Sequence, residues 1–362
     1  MDSTQENIRV QSDDLSYVVG FVKSKVNTYD IQAGPMDIKF YYFESDNPNI
    51  EKAFDEIRTE LVDRGYIPFL SHDGENFIGV TRKPNVKYRG TIVNIVMLAL
   101  TLASTIYVGS VYSAAFVAPS PNAEYIRLLY GLVFFSLPLM GILGIHELGH
   151  FIVAKRHHVK ASLPFFIPFP VGLGTFGAFI SLRDPIPNRR AMTEIGAAGP
   201  IFGFLTALPL IFVAHYVGTL FHPVANAVIP FQIRYPLVYN LFGLVPTSSH
   251  PIFPMVFAVW VGMFATAMNL LPVGQLDGGH VLRGVMGRSA IYVDYAFLAF
   301  LFGLGFLYTG WWLLAIFVLI IGISHPPALD DYSKLRQRDI LIGVFALAMF
   351  ILTFTPIPLL AS

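Results

Sequence analysis

From residue 90 onward the chain is a succession of apolar segments, at roughly 90–117, 125–157, 191–217, 251–272, 290–307, 309–325 and 339–359. Each is close to the ~20 residues that an α-helix needs to cross a bilayer. Backbone in hydrocarbon must satisfy its own hydrogen bonds, so these segments are expected to be packed transmembrane helices, about seven in all. The second is too long for a straight crossing and carries Pro138, which makes it one kinked helix or two helices with a tight break.

Composition and charge agree with this reading. Hydrophobic residues make up 54% of the chain and charged ones only 13%, the balance of a polytopic membrane protein with a polar appendage rather than of a soluble enzyme. Formal net charge is zero, so there is no global basic footprint and nucleic acid is not an expected partner; the lipid bilayer is. The absence of cysteine excludes disulfides and thiolate metal sites, and leaves imidazole and carboxylate as ligands for any zinc. In a seven-span arrangement Lys83, Arg156, Lys160, Arg183, Arg190, Arg283 and Arg338 fall on the side of the N-terminus, against Arg127 and Arg234 on the other. The positive-inside rule then makes the N-terminus cytoplasmic, and a true reversal at Pro138 conflicts with it.

Soluble-type sequence is concentrated before residue 89. Residues 1–14 are polar and acidic, unlike a cleavable signal, and are expected to be disordered. Residues 15–88 read as a small α+β domain. Ile38, Phe40 and Tyr42 alternate as in a strand, and Ile50, Phe54, Ile57 and Leu61 follow a helical period that stops at Gly65. Two further strands, 66–70 and 77–81, flank Asp73-Gly74 as a hairpin. This domain holds no clustered ligand set and reads as a folding or docking module. Residues 89–362 form the transmembrane domain.

Chemistry is carried by His146-Glu147-Leu148-Gly149-His150, inside the second apolar segment. Ionisable side chains are expensive there and are functional hypotheses by default. On a helix, residues 146 and 150 project from one face and can share a zinc ion, with Glu147 beside them as a general base. A catalytic zinc needs a third protein ligand and an open position for water. The strongest candidate is Asp277, in a stretch where Pro272 and Gly274 break the helix and let the chain turn back into the bundle. His280, three residues on, is a fourth ligand, a neighbour of the ligands or a helix-cap histidine. His157 and His158, in a basic run, read as an interfacial face, and Asp184, Glu194 and Asp294 as ordinary carboxylates near helix ends.

His146-Glu147-Leu148-Gly149-His150 followed by Leu276-Asp277-Gly278 on a later span resembles the site-2 protease family of intramembrane zinc metalloproteases, nearest its archaeal and chloroplast branch. The resemblance covers roughly residues 140–288. Gly196-Ala197-Ala198-Gly199-Pro200 is similar to the family's Gly-Pro segment, and 164–182 to its membrane-embedded β-hairpin. It implies His146, His150 and Asp277 as zinc ligands, Glu147 as catalytic base, and Asn269 as a residue that holds the substrate backbone or the oxyanion. The family often has Asn-Pro at that point, whereas here proline is delayed to Pro272. Gly177 and Phe179 on the hairpin, with Gly199 and Pro200, are the candidate substrate-binding residues, although the small-xxx-small spacing of Gly199 and Gly203 reads equally as close helix packing.

The function expected is zinc-dependent hydrolysis of a peptide bond in or near a transmembrane segment of a membrane-anchored protein, in the cell membrane of a prokaryote. The alternative is a catalytically inactive zinc-binding scaffold or chaperone of the same fold, against which an intact Glu147 speaks. A transporter would spread polar groups along a crossing path, whereas here they converge at 146–150 and 269–277.

Overall fold

Val18 and Val22, one helical turn apart and fully buried, anchor helix α1 (Ser3–Lys25) on the soluble domain. The structure, a computed structural model, describes residues 3–72, 74–84, 90–224, 231–246, 251–323 and 325–361. Helix α1 includes residues 3–14 of the segment expected to be disordered. No Pro or Gly interrupts the chain before Gly20, so a helix anchored at its C-terminal half extends back through polar residues.

The domain continues with β1 (Thr28–Ala33), β2 (Asp37–Tyr42), α2 (Ile50–Asp63), β3 (Tyr66–Ser71) and β4 (Phe77–Arg82), in an antiparallel sheet of order β1-β2-β4-β3. Strand β1 left no trace in the sequence pattern because it is an edge strand with no buried residue. Phe40, Ile57, Leu61 and Ile78 form the centre of the core. Asp73, and residues 85–89 with the expected domain boundary, lie outside the described residues.

In the apolar part, α3 (Thr91–Tyr112) is followed by α4 (Ala123–Tyr130), which runs through a π-helical turn, Gly131–Ser136, into α5 (Leu137–Arg156). The long second segment is therefore one continuous helix of 34 residues, Ala123–Arg156. The π turn just ahead of Pro138 absorbs the missing N–H, so the chain does not reverse there. Strands β5 (Phe165–Phe169) and β6 (Gly174–Phe179) make a two-stranded antiparallel hairpin with a bulge between Phe166 and Pro168. Helix α3 holds it through Asn94 Nδ2 to the Leu163 carbonyl (2.7 Å), Ser104 Oγ to the Gly174 carbonyl (2.7 Å) and Tyr112 Oη to the Gly172 carbonyl (3.1 Å).

Helix α6 (Arg189–Leu220), strand β7 (Phe231–Ile233), α7 (Leu237–Leu241) and α8 (Pro254–Asn269) follow. Every residue from Pro254 to Met263 on α8 is buried, so this helix is sheathed on all sides. Helix α9 (Asp277–Met286) leads through a short 3₁₀ turn into α10 (Ala290–Leu304), and then come α11 (Gly310–Ile321), α12 (Gln337–Thr353) and β8 (Leu359–Ala361), which pairs with β7. Among the described residues four helices are long and apolar enough to cross a membrane: Thr91–Phe116, Ala123–Arg156, Arg189–Leu220 and Asp277–Leu304; Pro254–Asn269 and Gly310–Ile321 are apolar but shorter. The segment read as 290–307 thus begins at Asp277, because α9 and α10 join end to end.

The α11–α12 connection straps the two parts together. The Leu329 side chain enters the soluble domain's core, and its carbonyl accepts the Leu70 N–H of β3 at 2.8 Å. On the other side the Leu329 and Asp330 N–H groups bond to the Ile186 and Pro187 carbonyls at 3.0 and 2.8 Å. Lys83–Asp184 and Lys160–Asp63 are ion pairs across the same junction. Leu329→Ala is expected to destabilise this docking by about 2–5 kcal/mol, with faster hydrogen exchange at the Leu70 amide. Unchanged protection of β3 would show that the strap does not hold the domain.

Candidate metal centre

Helix α5 presents His146, Glu147 and His150 on its inward face, 2%, 4% and 6% exposed. Asp277 opens α9 directly opposite. Its Oδ2 lies 3.1 Å from Nε2 of His146 and 3.1 Å from Nε2 of His150, and the two Nε2 atoms are 3.3 Å apart. Two imidazole nitrogens and a carboxylate oxygen, facing one point, make the cluster that can hold a metal ion among the described residues. Ligands about 2.0–2.2 Å from a tetrahedral zinc stand roughly 3.3–3.6 Å from one another, close to these separations. The donor set, N₂O without thiolate, fits zinc and leaves a fourth position for water.

Surrounding groups orient the donors. Nδ1–H of His150 donates to the Ile195 carbonyl on α6 at 2.7 Å, which leaves Nε2 with its lone pair toward the cluster. Gly199 on α6 lies directly behind the imidazoles, where a Cβ would meet His150 Nε2 at 2.0 Å and His146 Cδ2 at 2.7 Å. Next to His150 on α5 the packing is also close, since a Cβ on Gly149 would meet the Ala198 carbonyl oxygen at 2.8 Å. Asn269, the last residue of α8, brings Nδ2 to 3.3 Å from His146 Nε2.

Two cavities flank the centre, of about 230 and 200 Å³, and Glu147, Ala178 and Asn269 line both. The first also has Phe179, Gln275, Asp277 and His280 in its wall, the second Thr175, Phe176 and Gly177. The backbone amide of Ile180, just past β6, faces the Glu147 carboxylate. The structure therefore brings His146, Glu147, His150, Asn269 and Asp277 together, and sets Gly177 and Phe179 on the strand that edges the cavities. Gly199 and Pro200 lie on α6, beside the centre. Both are buried in α6 and line neither cavity, because the imidazoles occupy the space in front of Gly199.

His280 is not in the metal-ligating cluster. Its Nδ1 donates to the Leu276 carbonyl at 3.0 Å, and its ring packs edge-on against His325 at 4.0 Å. His325, in the strap, was not singled out by its sequence context; its Nδ1 donates to the neighbouring Pro326 carbonyl at 2.8 Å. His157 pairs with Glu194 at 2.8 Å, and Arg338 reaches the same carboxylate. The Ile195 carbonyl is a backbone group and carries no sequence signal at all.

Residues 134–309 match Peptidase family M50. The chain is 31% identical to Probable zinc metalloprotease EGY1, chloroplastic, of Arabidopsis thaliana, over 74% of this chain and 53% of that protein. Against Probable zinc metalloprotease EGY2, chloroplastic, of the same organism, identity is 28% over 60% of this chain and 40% of the relative. The chain thus spans about half the length of the curated relatives it matches. The segment 134–309 is thus similar to Peptidase family M50, the site-2 protease family, and the relatives that the chain matches are named as zinc metalloproteases.

Gly199→Ala is expected to displace the His150 ring and bring zinc content, measured by plasma emission on the purified protein, from near one per chain to near zero. A full zinc complement in that variant would contradict the packing of α6 against the ligands.

Proposed function

We propose that the chain is an intramembrane zinc metalloendopeptidase that hydrolyses a peptide bond in or near the transmembrane segment of a membrane-anchored protein. The observation that carries this reading is the position of Glu147. Its buried carboxyl stands beside the His146, His150 and Asp277 donors and opens on both cavities, within helices of membrane length.

His146, His150 and Asp277 would hold a zinc ion, which would supply Lewis acidity to a water molecule and to the scissile carbonyl. Glu147 takes the proton released from that water and delivers one to the leaving amine, so that water adds across the amide bond and both products leave neutral in proton count. Asn269 presents an amide N–H toward the carbonyl oxygen as charge develops there. A helical substrate hides its carbonyls in its own hydrogen bonds and must unwind locally. Strand β6, paired on one edge with β5, offers its other edge to the extended segment, with Gly177 and Phe179 at the contact.

The same reading places seven crossings in the bilayer, the four long helices and the shorter α8, α11 and α12, with the soluble domain cytoplasmic in a prokaryotic cell membrane. Chain contacts support the parity. Asp63–Lys160 and Leu70–Leu329 put residues 160 and 329 on the soluble domain's side, and β7–β8 pairing puts residues 231 and 361 together on one side. An even number of crossings separates the members of each pair in the seven-span count. The Lys and Arg distribution gives the cytoplasmic assignment.

Purified full-length chain in detergent, given a single-span reporter substrate, tests the activity. Glu147→Gln is expected to keep its zinc and lose cleavage by about 10²–10⁴-fold. Equal cleavage by parent and variant would reject the mechanism, and zinc without cleavage in both would favour a non-catalytic scaffold. Removal of zinc with a chelator should abolish the parent's cleavage, and stoichiometric zinc should restore it.

A further inference from the structure

Asp294 is a buried acidic side chain in the second turn of an apolar helix, and the chemistry above leaves it unused. It lies on α10, 3% exposed, and its Oδ1 accepts the backbone N–H of Gly274 at 3.2 Å. Burial of a charge-bearing group at this depth is costly unless something specific is gained. Gly274 sits in the turn that joins two residues of the metal centre, Asn269 at the end of α8 and Asp277 at the start of α9.

The backbone hydrogen bonds within that turn are local, and the Leu271 and Val273 side chains pack against α10 and α11. The Leu270, Leu271, Val273 and Leu276 N–H groups bond to carbonyls of residues 266–273, the same short stretch of chain. Gly274 has φ +59, a conformation that allows the reversal but does not enforce it. Asp294 reaches this point from another helix. The shape of the turn is passed directly to α9, because its first residues rest on it. A Cβ on Gly278 would meet the Leu270 carbonyl oxygen at 2.1 Å, and one on Gly279 the Gly274 carbonyl oxygen at 2.1 Å. A shift of the Gly274 peptide therefore moves the start of α9, and with it the Asp277 carboxylate that stands 3.1 Å from both imidazoles.

We infer that Asp294 is a positioning residue for the metal centre: by accepting the Gly274 N–H it locks the 270–276 turn and so aims Asp277 at His146 and His150. This rests on the zinc reading of the site, and the test separates the two. Parent, Asp294→Asn and Asp294→Ala full-length proteins are purified in detergent. Zinc loss to excess chelator is timed, and hydrogen exchange of the 270–276 peptide is measured after the metal is removed. The Asn variant keeps an acceptor oxygen and is expected to stay within about 3-fold of the parent in both. The Ala variant is expected to lose zinc at least 10-fold faster and to lose protection in 270–276 without metal, with kcat for a reporter substrate falling more than KM rises. If Asp294→Ala does not assemble, Asp294→Glu, which displaces the oxygen by one methylene, takes its place with the same expected order. Parent-like zinc retention and protection in the Ala variant, or an Asn variant as impaired as the Ala variant, would overturn the assignment. A parent that holds no zinc would instead refute the zinc reading, while the exchange measurement would still decide the role of Asp294.

Discussion

Three donor atoms from two helices have to meet at one point in a bundle that is otherwise apolar, and most of the structure follows from that requirement. Helix spacing of 8–10 Å is too wide for short side chains to converge unless backbones come closer than usual. Here α6 presses on α5 through Gly149 and supports the imidazoles through Gly199. The Ile195 carbonyl, on the same face of α6, takes the free N–H of His150. Close approach by small residues is the usual means of helix association in lipid, and in this chain it also sets the metal centre.

The soluble domain is continuous with that centre rather than an appendage. Leu329 lies in its core, four residues from His325, whose ring packs on His280 of the zinc helix α9. Arg283, on the same helix, forms a buried ion pair with Asp331 of the strap at 2.6 Å. Partial burial of such a pair contributes more to fixing one arrangement than to net stability. The strap thus ties α9, which begins at Asp277, to the N-terminal domain.

What was legible in the sequence, and what was not, divides along the range of the interactions. The His146–His150 pair is local, and a helical period alone puts both on one face. The soluble domain's β2, α2, β3 and β4 likewise show their buried faces as periodic apolar residues. Asp277 was reached from the Pro272 and Gly274 helix break and from the resemblance together, because no spacing rule links residues 127 or more positions apart. Gly199 was visible as a small residue, but a glycine facing substrate and a glycine backing a ligand look the same in one dimension. Strand β1 buries no side chain, Leu329 is a lone apolar residue in a polar stretch, and the Asp294–Gly274 contact joins a side chain to a backbone group. None of these leaves a periodic pattern.

The central claim is that His146, His150 and Asp277 together coordinate one zinc ion inside the helical bundle. X-ray absorption at the zinc edge of the purified full-length protein reads that coordination directly. The account predicts two imidazole nitrogens at about 2.0–2.1 Å and carboxylate or water oxygen at about 2.0–2.2 Å, four ligands in all. A six-coordinate, all-oxygen environment, or a single imidazole, would contradict it.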